Sequence, residues 1–341
     1  MYKFGDTTPT LTIVIPCYNE EAVLHETTKR MSLMIEELMN EMLISPDSKI
    51  LYVDDGSKDR TWDIIEEQSE GNWFVKGLKL AGNVGHQNAL LAGLQVAGEH
   101  SDCVISIDAD LQDDITVMRD FILKFHEGYD IVYGVRDDRT TDSFFKKNTA
   151  QFYYKLMGAM GVNLVYNHAD YRLLSHRVLT QLSQFQESNL FLRGIIPLIG
   201  FKQTKVYYKR HERFAGESKY PLRKMLSFAM EGITSFSVTP IRLLTVIGIF
   251  FLLLSMGTSV YSLIQKVQGE TVSGWTSLML SIWFIGGIQL MGLGLIGEYI
   301  SKIYMEVKKR PKYHIDINHY SSTNREADRR NSSPVGGQRD R

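Results

Sequence analysis

The stretch Asp108-Ala109-Asp110-Leu111-Gln112-Asp113-Asp114 follows directly on the apolar run Cys103-Val104-Ile105-Ser106-Ile107. A buried strand that ends in closely spaced carboxylates delivers hard oxygen ligands to the carboxyl edge of a parallel sheet, where open α/β folds bind ligands. Asp108 and Asp110 are two apart, so on an extended strand end their side chains leave on the same side. That spacing suits octahedral Mg2+ or Mn2+, which takes one or two carboxylates and completes its shell with phosphate oxygens and water. A divalent cation on a diphosphate is the chemistry to which this stretch points. The structural alternative is that Asp113 and Asp114 complement the dipole of a helix starting near Ile115.

Two more polar strand ends join it, Pro16-Cys17-Tyr18-Asn19-Glu20 and Asp54-Asp55-Gly56-Ser57. Each alone reads equally well as turn and cap chemistry, but three on one edge of one sheet make a site. Asn83-Val84-Gly85-His86 opens a helix rich in small residues, Ala89, Ala92, Gly93 and Ala97, which let it lie close to a strand or ligand. Gly85 is expected in a backbone conformation other residues avoid, and His86 reads as a hydrogen-bonding residue at the helix start. Further on, Asn167-His168-Ala169-Asp170-Tyr171-Arg172-Leu173 is expected to expose an acid and a base around a strand. The segment from Lys205 to Lys224 is strongly basic, and Arg213-Phe214-Ala215-Gly216-Glu217-Ser218-Lys219 within it has loop composition. Such a loop can close over phosphates, because Arg and Lys supply charge-assisted donors.

The elements that position these residues follow from periodicity. Strands are predicted at Leu11–Pro16, Ile50–Val53, Phe74–Leu78, Cys103–Ile107 and Ile131–Tyr133, and helices at Glu20–Met42, Arg60–Ser69, His86–Ala97, Ile115–His126 and Phe144–Met160. Their alternation implies a mostly parallel sheet with right-handed crossovers. Formal net charge is −1 over 341 residues, so global charge gives no sign of a nucleic-acid partner. The two cysteines, Cys17 and Cys103, sit in or beside apolar strands and fit a reducing compartment. The start, Met1 to Asp6, lacks an apolar stretch, so no cleaved secretory signal is expected.

Pro221 to Phe236 places its apolar residues on one helical face beside Arg223 and Lys224, the pattern of an interfacial helix. Leu243–Ile264 and Thr271–Gly297 are charge-free and long enough to cross a hydrocarbon core of about 30 Å. Cations flank the pair at Arg242, Lys302, Lys308, Lys309 and Arg310, while the connection between them carries only Lys266, which puts both flanks in the cytoplasm. Gly292-Leu293-Gly294-Leu295-Ile296-Gly297 matches a dinucleotide-binding pattern, yet no strand precedes it, and it reads as helix-packing glycine. Gly287 and Gly294 share a face on which the spans, or neighbouring subunits, could approach closely.

Together the motifs Pro16 to Glu20, Val53 to Ser57, Asn83 to Gly85, Asp108 to Asp113, Asp170 to Leu173 and Arg213 to Lys219, followed by two C-terminal spans, resemble the polyprenyl-phosphate glycosyltransferases of glycosyltransferase family 2. The resemblance runs from about residue 10 to residue 312. It implies a GT-A, Rossmann-like catalytic domain over 1–219, an amphipathic interfacial helix over 220–237, transmembrane helices at 241–264 and 272–300, and a basic cytoplasmic tail over 301–341, disordered from about 321. It implies that Asp54 and Asp55, with Pro16, Tyr18 and Glu20, hold a UDP-sugar, and that Asp108, Asp110 and Gln112 hold Mg2+ or Mn2+. Asp170 would lie beside the attacking group, and Arg136, Arg172, Arg213 and Lys219 would contact acceptor or donor phosphates, with Asp110, Asp170 and Arg213 as the catalytic set. The implied reaction is inverting transfer of one sugar, glucose or N-acetylglucosamine, from UDP to undecaprenyl phosphate at the inner membrane, by an enzyme favouring a homo-oligomer such as a tetramer.

Other readings make different demands. A processive polysaccharide synthase normally carries a Gln-x-x-Arg-Trp element, yet neither Trp275 nor Trp283, the only tryptophans beyond Asp110, follows an arginine. A sugar nucleotidyltransferase would need a Gly-rich loop with an embedded Arg near the N-terminus, and there is none. A non-catalytic partner of a lipid-sugar flippase would have no use for an intact acidic motif.

Overall fold

The computed structural model describes residues 8–136, 168–185, 187, 191–209, 239–268 and 274–320. The expected helix at 144–160, the loop carrying Arg213 and Lys219, and the interfacial helix lie outside these residues. The chain divides into two compact units: Met1–Asn148 with Val165–Lys219 and Pro311–Arg341, and Thr149–Leu164 with Tyr220–Arg310.

In the first unit the order is β1 (Leu11–Cys17), α1 (Leu24–Asn40), β2 (Lys49–Asp54), α2 (Thr61–Gly71), β3 (Val75–Leu80), α3 (His86–Gly98), β4 (Cys103–Ser106), a 3-10 turn (Ile115–Val117), α4 (Met118–His126) and β5 (Ile131–Arg136). Then come β6 (His168–Ser175), α5 (His176–Leu182), α6 (Leu192–Leu198) and β7 (Gln203–Tyr208), with β8 (Ile315–Asn318) at the far end of the chain. All the strands and helices predicted between residues 11 and 135 are present, their ends moved by a few residues.

One eight-stranded sheet runs β7-β5-β6-β4-β1-β2-β3-β8. The expected parallel pairing holds for β1–β2, β1–β4, β2–β3 and β5–β7, whereas β4–β6, β5–β6 and β3–β8 are antiparallel. The sheet is therefore mixed, because β6 returns between β4 and β5 in the opposite direction. This is the GT-A, Rossmann-like fold.

Alternation along β1 assigns the two faces. Leu11, Ile13, Ile15 and Cys17 join the core formed with Met31 and Ile35 of α1, Trp62 and Ile65 of α2, and Phe121 of α4. Val14 points to the other face, where α3 lies against β1 and β2. A Cβ on Gly93 would fall 2.5 Å from Val14 Cγ1 and 2.7 Å from Val53 Cγ2, so only glycine allows this approach. The small residues of this helix thus bring it onto the sheet as expected.

Residues 311–320, part of the expected tail, return to this unit. β8 pairs with β3, and just before it His314 O accepts from Ala81 N at 2.9 Å. The buried Tyr320 hydroxyl joins those of Thr12, at 2.6 Å, and Ser101, at 3.3 Å.

The second unit contains α7 (Thr239–Val267) and α8 (Trp275–Val307). They pack as a hairpin, with Phe251 against Phe284 at 5.5 Å between ring centroids. The close approach is at Gly292, where a Cβ would meet Leu244 Cδ2 at 2.9 Å. A Cβ at Gly287 or Gly294 would meet nothing within 4 Å, so these glycines do not seat the helices on each other. Apolar side chains including Phe250, Leu253, Leu290 and Leu293 are exposed. Among the described residues one helical segment, Phe284–Val307, is long and apolar enough to cross a membrane by length and composition.

Candidate functional site

The loops after β1 and β2 are tied to each other. Asn19 N donates to Ser57 Oγ at 3.0 Å, Asn19 Oδ1 accepts from Lys58 N at 2.9 Å, and Glu20 N donates to Thr61 Oγ1 at 2.8 Å. Pro16 is in register with Val53 and Cys17 with Asp54, so Tyr18, Glu20, Asp54 and Asp55 come to one edge. Tyr18 is exposed there. Asp54 is fully buried: Oδ1 accepts from Ser57 N at 3.2 Å, and Oδ2 has no hydrogen-bond partner among the described residues. Burial raises its carboxyl pKa, only partly offset by Ser57.

Asp55 braces the neighbouring loop, its two oxygens accepting from Val84 N at 2.7 Å and Gly85 N at 3.0 Å. Gly85 has φ +86°, the left-handed conformation expected of it. Gly56, with φ +67°, lets the two loops touch, since a Cβ there would lie 2.7 Å from Asn83 N.

The acidic stretch is held from three sides. Thr27 Oγ1 donates to Ala109 O at 2.9 Å, and Tyr171 OH donates to Asp114 O at 3.1 Å. Asp113 Oδ1 accepts from Tyr208 OH at 2.6 Å and from Arg136 Nη2 at 3.1 Å. Arg136 therefore reaches the site edge through Asp113. Of the two acids expected to serve the helix dipole, Asp114 does cap the 3-10 turn, accepting from Thr116 N at 3.0 Å, while Asp113 is buried. Before them the chain turns sharply: Leu111 has φ 55°, and Asp110 Oδ1 accepts from Gln112 N at 3.2 Å.

Asp170 and Arg172, expected to be exposed, are 6% and 1% exposed. Burial is tolerated because the charges are matched. Arg172 Nη2 donates to Asp170 Oδ1, and Arg193 of α6 donates from Nε to Oδ1 at 3.2 Å and from Nη2 to Oδ2 at 2.8 Å. Burial alone would raise the Asp170 pKa, but Arg193 and Arg172 outweigh it and hold the carboxyl well below the usual range. Arg172 Nε and Nη1 have no partner among the described residues.

His86, the first residue of α3, joins the two groups of acids. Its Nε2 is 3.7 Å from Asp108 Oδ1 and 3.7 Å from Asp170 Oδ2. Burial opposes its protonation, yet Asp170 and Asp108 raise its pKa. Asp108 is pushed up to about 6 by burial and by the carboxylates of Asp170, Asp113 and Asp110, with His86 opposing.

Pro16, Tyr18, Glu20, Asp54, Asp55, Asp108, Asp110, Gln112, Arg136 and Asp170 thus lie on or near strand ends and in loops of the first unit, Arg172 lies in the middle of β6, and Arg213 and Lys219 fall outside the described residues. Arg193, Tyr208 and the placement of His86 were not found from sequence. The one available signal for Arg193 was a lone cation in the apolar run Phe191-Leu192-Arg193-Gly194-Ile195-Ile196.

Residues 12–183 match the model of glycosyl transferase family 2, and residues 239–303 match the GtrB C-terminal hairpin. A glycosyltransferase of Bacillus subtilis (strain 168), YkoT, is 60% identical over 92% of this chain and 93% of its own. The SfII prophage-derived bactoprenol glucosyl transferase of Shigella flexneri is 40% identical over 91% of this chain and 98% of its own. A solved structure, glucosyl-3-phosphoglycerate synthase from Mycobacterium tuberculosis with Mn2+, UDP-glucose and phosphoglyceric acid, is similar at 18% identity and a TM-score of 0.43, covering 66% of this chain and 78% of that one. The family match through the sheet and the strength of the full-length relatives agree: this chain is a glycosyltransferase and belongs to glycosyltransferase family 2.

Proposed function

We propose that this enzyme transfers a single sugar, glucose as the leading candidate, from a UDP-sugar to a polyprenyl phosphate at the cytoplasmic face of a membrane. The observation that carries the reading is the position of His86 Nε2, 3.7 Å from both Asp108 and Asp170. The acid assigned to the donor diphosphate and the acid assigned to the acceptor side meet at one imidazole. The relatives named bactoprenol glucosyl transferase support both the sugar and the lipid.

Asp54 Oδ2, buried without a partner among the described residues, suits the ring N–H of uracil. Pro16, Tyr18 and Glu20 border that position, and Asp55 fixes the adjoining loop. Among the described residues no three His, Cys, Asp or Glu side chains form a self-sufficient metal cage. Asp108 and Asp110 lie beyond the end of β4, in the turn that leads to Leu111, and not on the extended strand end expected of them. With the Gln112 amide, their carboxylates would instead supply a partial oxygen set for Mg2+ or Mn2+ shared with phosphate oxygens. Such an ion supplies neutralisation of the charge gained by the departing diphosphate.

An acceptor phosphate oxygen attacks the anomeric carbon as the bond to the UDP β-phosphate breaks, a single displacement with inversion. The phosphate ionises near neutral pH, so it needs no protein base. Asp170, held ionised by two arginines, orients. Arg136, Arg213 and Lys219 set positive charge against two approaching anions, whereas Arg172, expected to contact a phosphate, is buried against Asp170 and holds that carboxylate instead.

The charge-free stretches of α7 and α8, their exposed apolar residues and the hairpin match support two spans, and the flanking cations Arg242, Lys302, Lys308, Lys309 and Arg310 support cytoplasmic flanks. Gly287 and Gly294 leave a helix surface open to lipid or to another copy in a homo-oligomer. The test is extraction of radiolabel into the lipid phase from a panel of UDP-sugars, with polyprenyl phosphate and Mn2+ or Mg2+. One sugar per lipid is expected, and Asp110→Asn should abolish transfer while the protein stays folded. A chain of sugars would indicate a processive synthase, no label a non-catalytic partner, and near-normal turnover of Asp110→Asn would remove the metal assignment.

A further inference from the structure

We propose that Arg193 is a positioning residue of the transfer site: its guanidinium, laid two-pronged on Asp170, fixes the orientation in which that carboxylate meets His86. This inference rests on the transfer reading above. Arg172 lies on the same strand as Asp170 and donates only to Oδ1. Arg193 comes from a different element and takes both oxygens, at 3.2 and 2.8 Å, which stops rotation of the carboxylate plane. The direction left to Oδ2 leads to His86 Nε2.

The arginine is itself held. Leu192, Ile195 and Ile196 are buried, and Leu192 N donates to Gln87 Oε1 at 3.2 Å, beside His86. The contact that seats α6 therefore adjoins the helix start that carries the imidazole, and a continuous line runs Arg193, Asp170, His86, Asp108. Guanidinium donors on both of its oxygens leave Asp170 unsuited to accepting a proton, so its part is to orient.

The experiment uses the full-length protein in detergent, with UDP-glucose, polyprenyl phosphate and Mn2+, and measures kinetic constants for Arg193→Gln, Arg193→Lys, Asp170→Asn and the double variant Arg193→Gln/Asp170→Asn. Arg193→Gln should lower kcat about 10- to 100-fold, the loss expected for a charged hydrogen bond, with KM for UDP-glucose within about twofold of wild type. Arg193→Lys should recover part of the loss, since it keeps the charge without the fork. The double variant should be within about twofold of Asp170→Asn alone, because both changes remove one device. Calorimetric UDP binding reports that each variant is folded.

Additive losses in the double variant, or wild-type kcat in Arg193→Gln, overturn the proposal. Should Arg193→Gln fail to fold, Arg193→Lys decides it: a partial loss of kcat supports the clamp and wild-type kcat removes it. A wild type that labels no lipid with any UDP-sugar sinks the transfer reading and the clamp with it, an outcome distinct from failure of the clamp alone.

Discussion

Replacing Gly93 by alanine should loosen the fold slightly and damage the site much more. The new Cβ would lie 2.5 Å from Val14 Cγ1 and 2.7 Å from Val53 Cγ2. Carbon atoms pack at about 3.5–4.0 Å, so the overlap is about 1 Å at two points. Neither valine can yield easily, since both are fully buried on adjacent strands and β-branched side chains are stiff at χ1. The helix α3 must lift instead. Overpacking of this kind costs about 1–3 kcal/mol, and the better helix propensity of alanine returns about 1 kcal/mol. A net loss of about 1 kcal/mol corresponds to a Tm lower by about 2–4 °C in a domain of this size.

Activity should fall further, because the first residue of α3 is His86, which stands 3.7 Å from both Asp108 and Asp170. A displacement of about 1 Å in such a site costs about 100-fold in rate. The assay pairs thermal unfolding with sugar transfer, and Gly71→Ala is the control: a Cβ on that last residue of α2 meets nothing within 4 Å, so Tm and rate should hold or rise. Wild-type melting and kcat/KM in Gly93→Ala would refute the steric argument. A lower Tm with full activity would break the link between the seat of α3 and the site.

Asp54→Asn should melt higher than wild type at pH 7.5 while binding UDP more weakly by calorimetry. The folded pKa of Asp54 is raised by burial, so its ionised form costs stability above that pKa, and the gap should close as the pH falls towards the unfolded value of about 3.9; a lower melting point at neutral pH counts against it. Asp170 has the opposite sign: its folded pKa is depressed, so its contribution is present above about pH 3.9 and is lost as the pH falls through the folded pKa. Melting curves of Asp170→Asn should accordingly show a shallower fall than wild type below about pH 4, and an identical acid limb would contradict this. Tyr320→Phe removes the hydroxyl shared with Thr12 and Ser101, which still bond each other at 2.7 Å, so the loss should be about 1 kcal/mol. It should appear as a lower urea midpoint with faster exchange of the β8 amides, and an unchanged midpoint would show that the hydroxyl does not hold the returning strand.

The alternation from β1 to β5 was legible because its signals are local: apolar runs of strand length, helical spacing between them, and polar residues at three strand ends. The φ of +86° at Gly85 was legible for the same reason. β8 was not, since its alternation, Ile315-Asp316-Ile317-Asn318, lasts only four residues, and its partner β3 lies far away in the chain. Asp170 and Arg172 were expected in solvent because unpaired charges are seldom buried, but nothing in their spacing announces Arg193 as the third member that makes burial tolerable. Gly287 and Gly294 share a helix face, yet Gly292 makes the contact, because the register between two helices depends on the turn that joins them.

The meeting of Asp108 and Asp170 follows from strand direction. A parallel strand ends, and an antiparallel neighbour begins, at the same edge of a sheet. Ser106 at the end of β4 pairs with Arg172 of β6, and Ser106 Oγ donates to Asp170 O at 2.6 Å. Carried two residues further, that register sets Asp108 across from Asp170. Like charges directly opposite each other destabilise a sheet. Here Arg172 and Arg193 neutralise one carboxylate and His86 lies between the two. A slip of one residue between β4 and β6 would turn every side chain of β6 to the other face and separate the acids. The site is therefore written in the register of a single antiparallel pair, and the cations around Asp170 are what allow that register to exist.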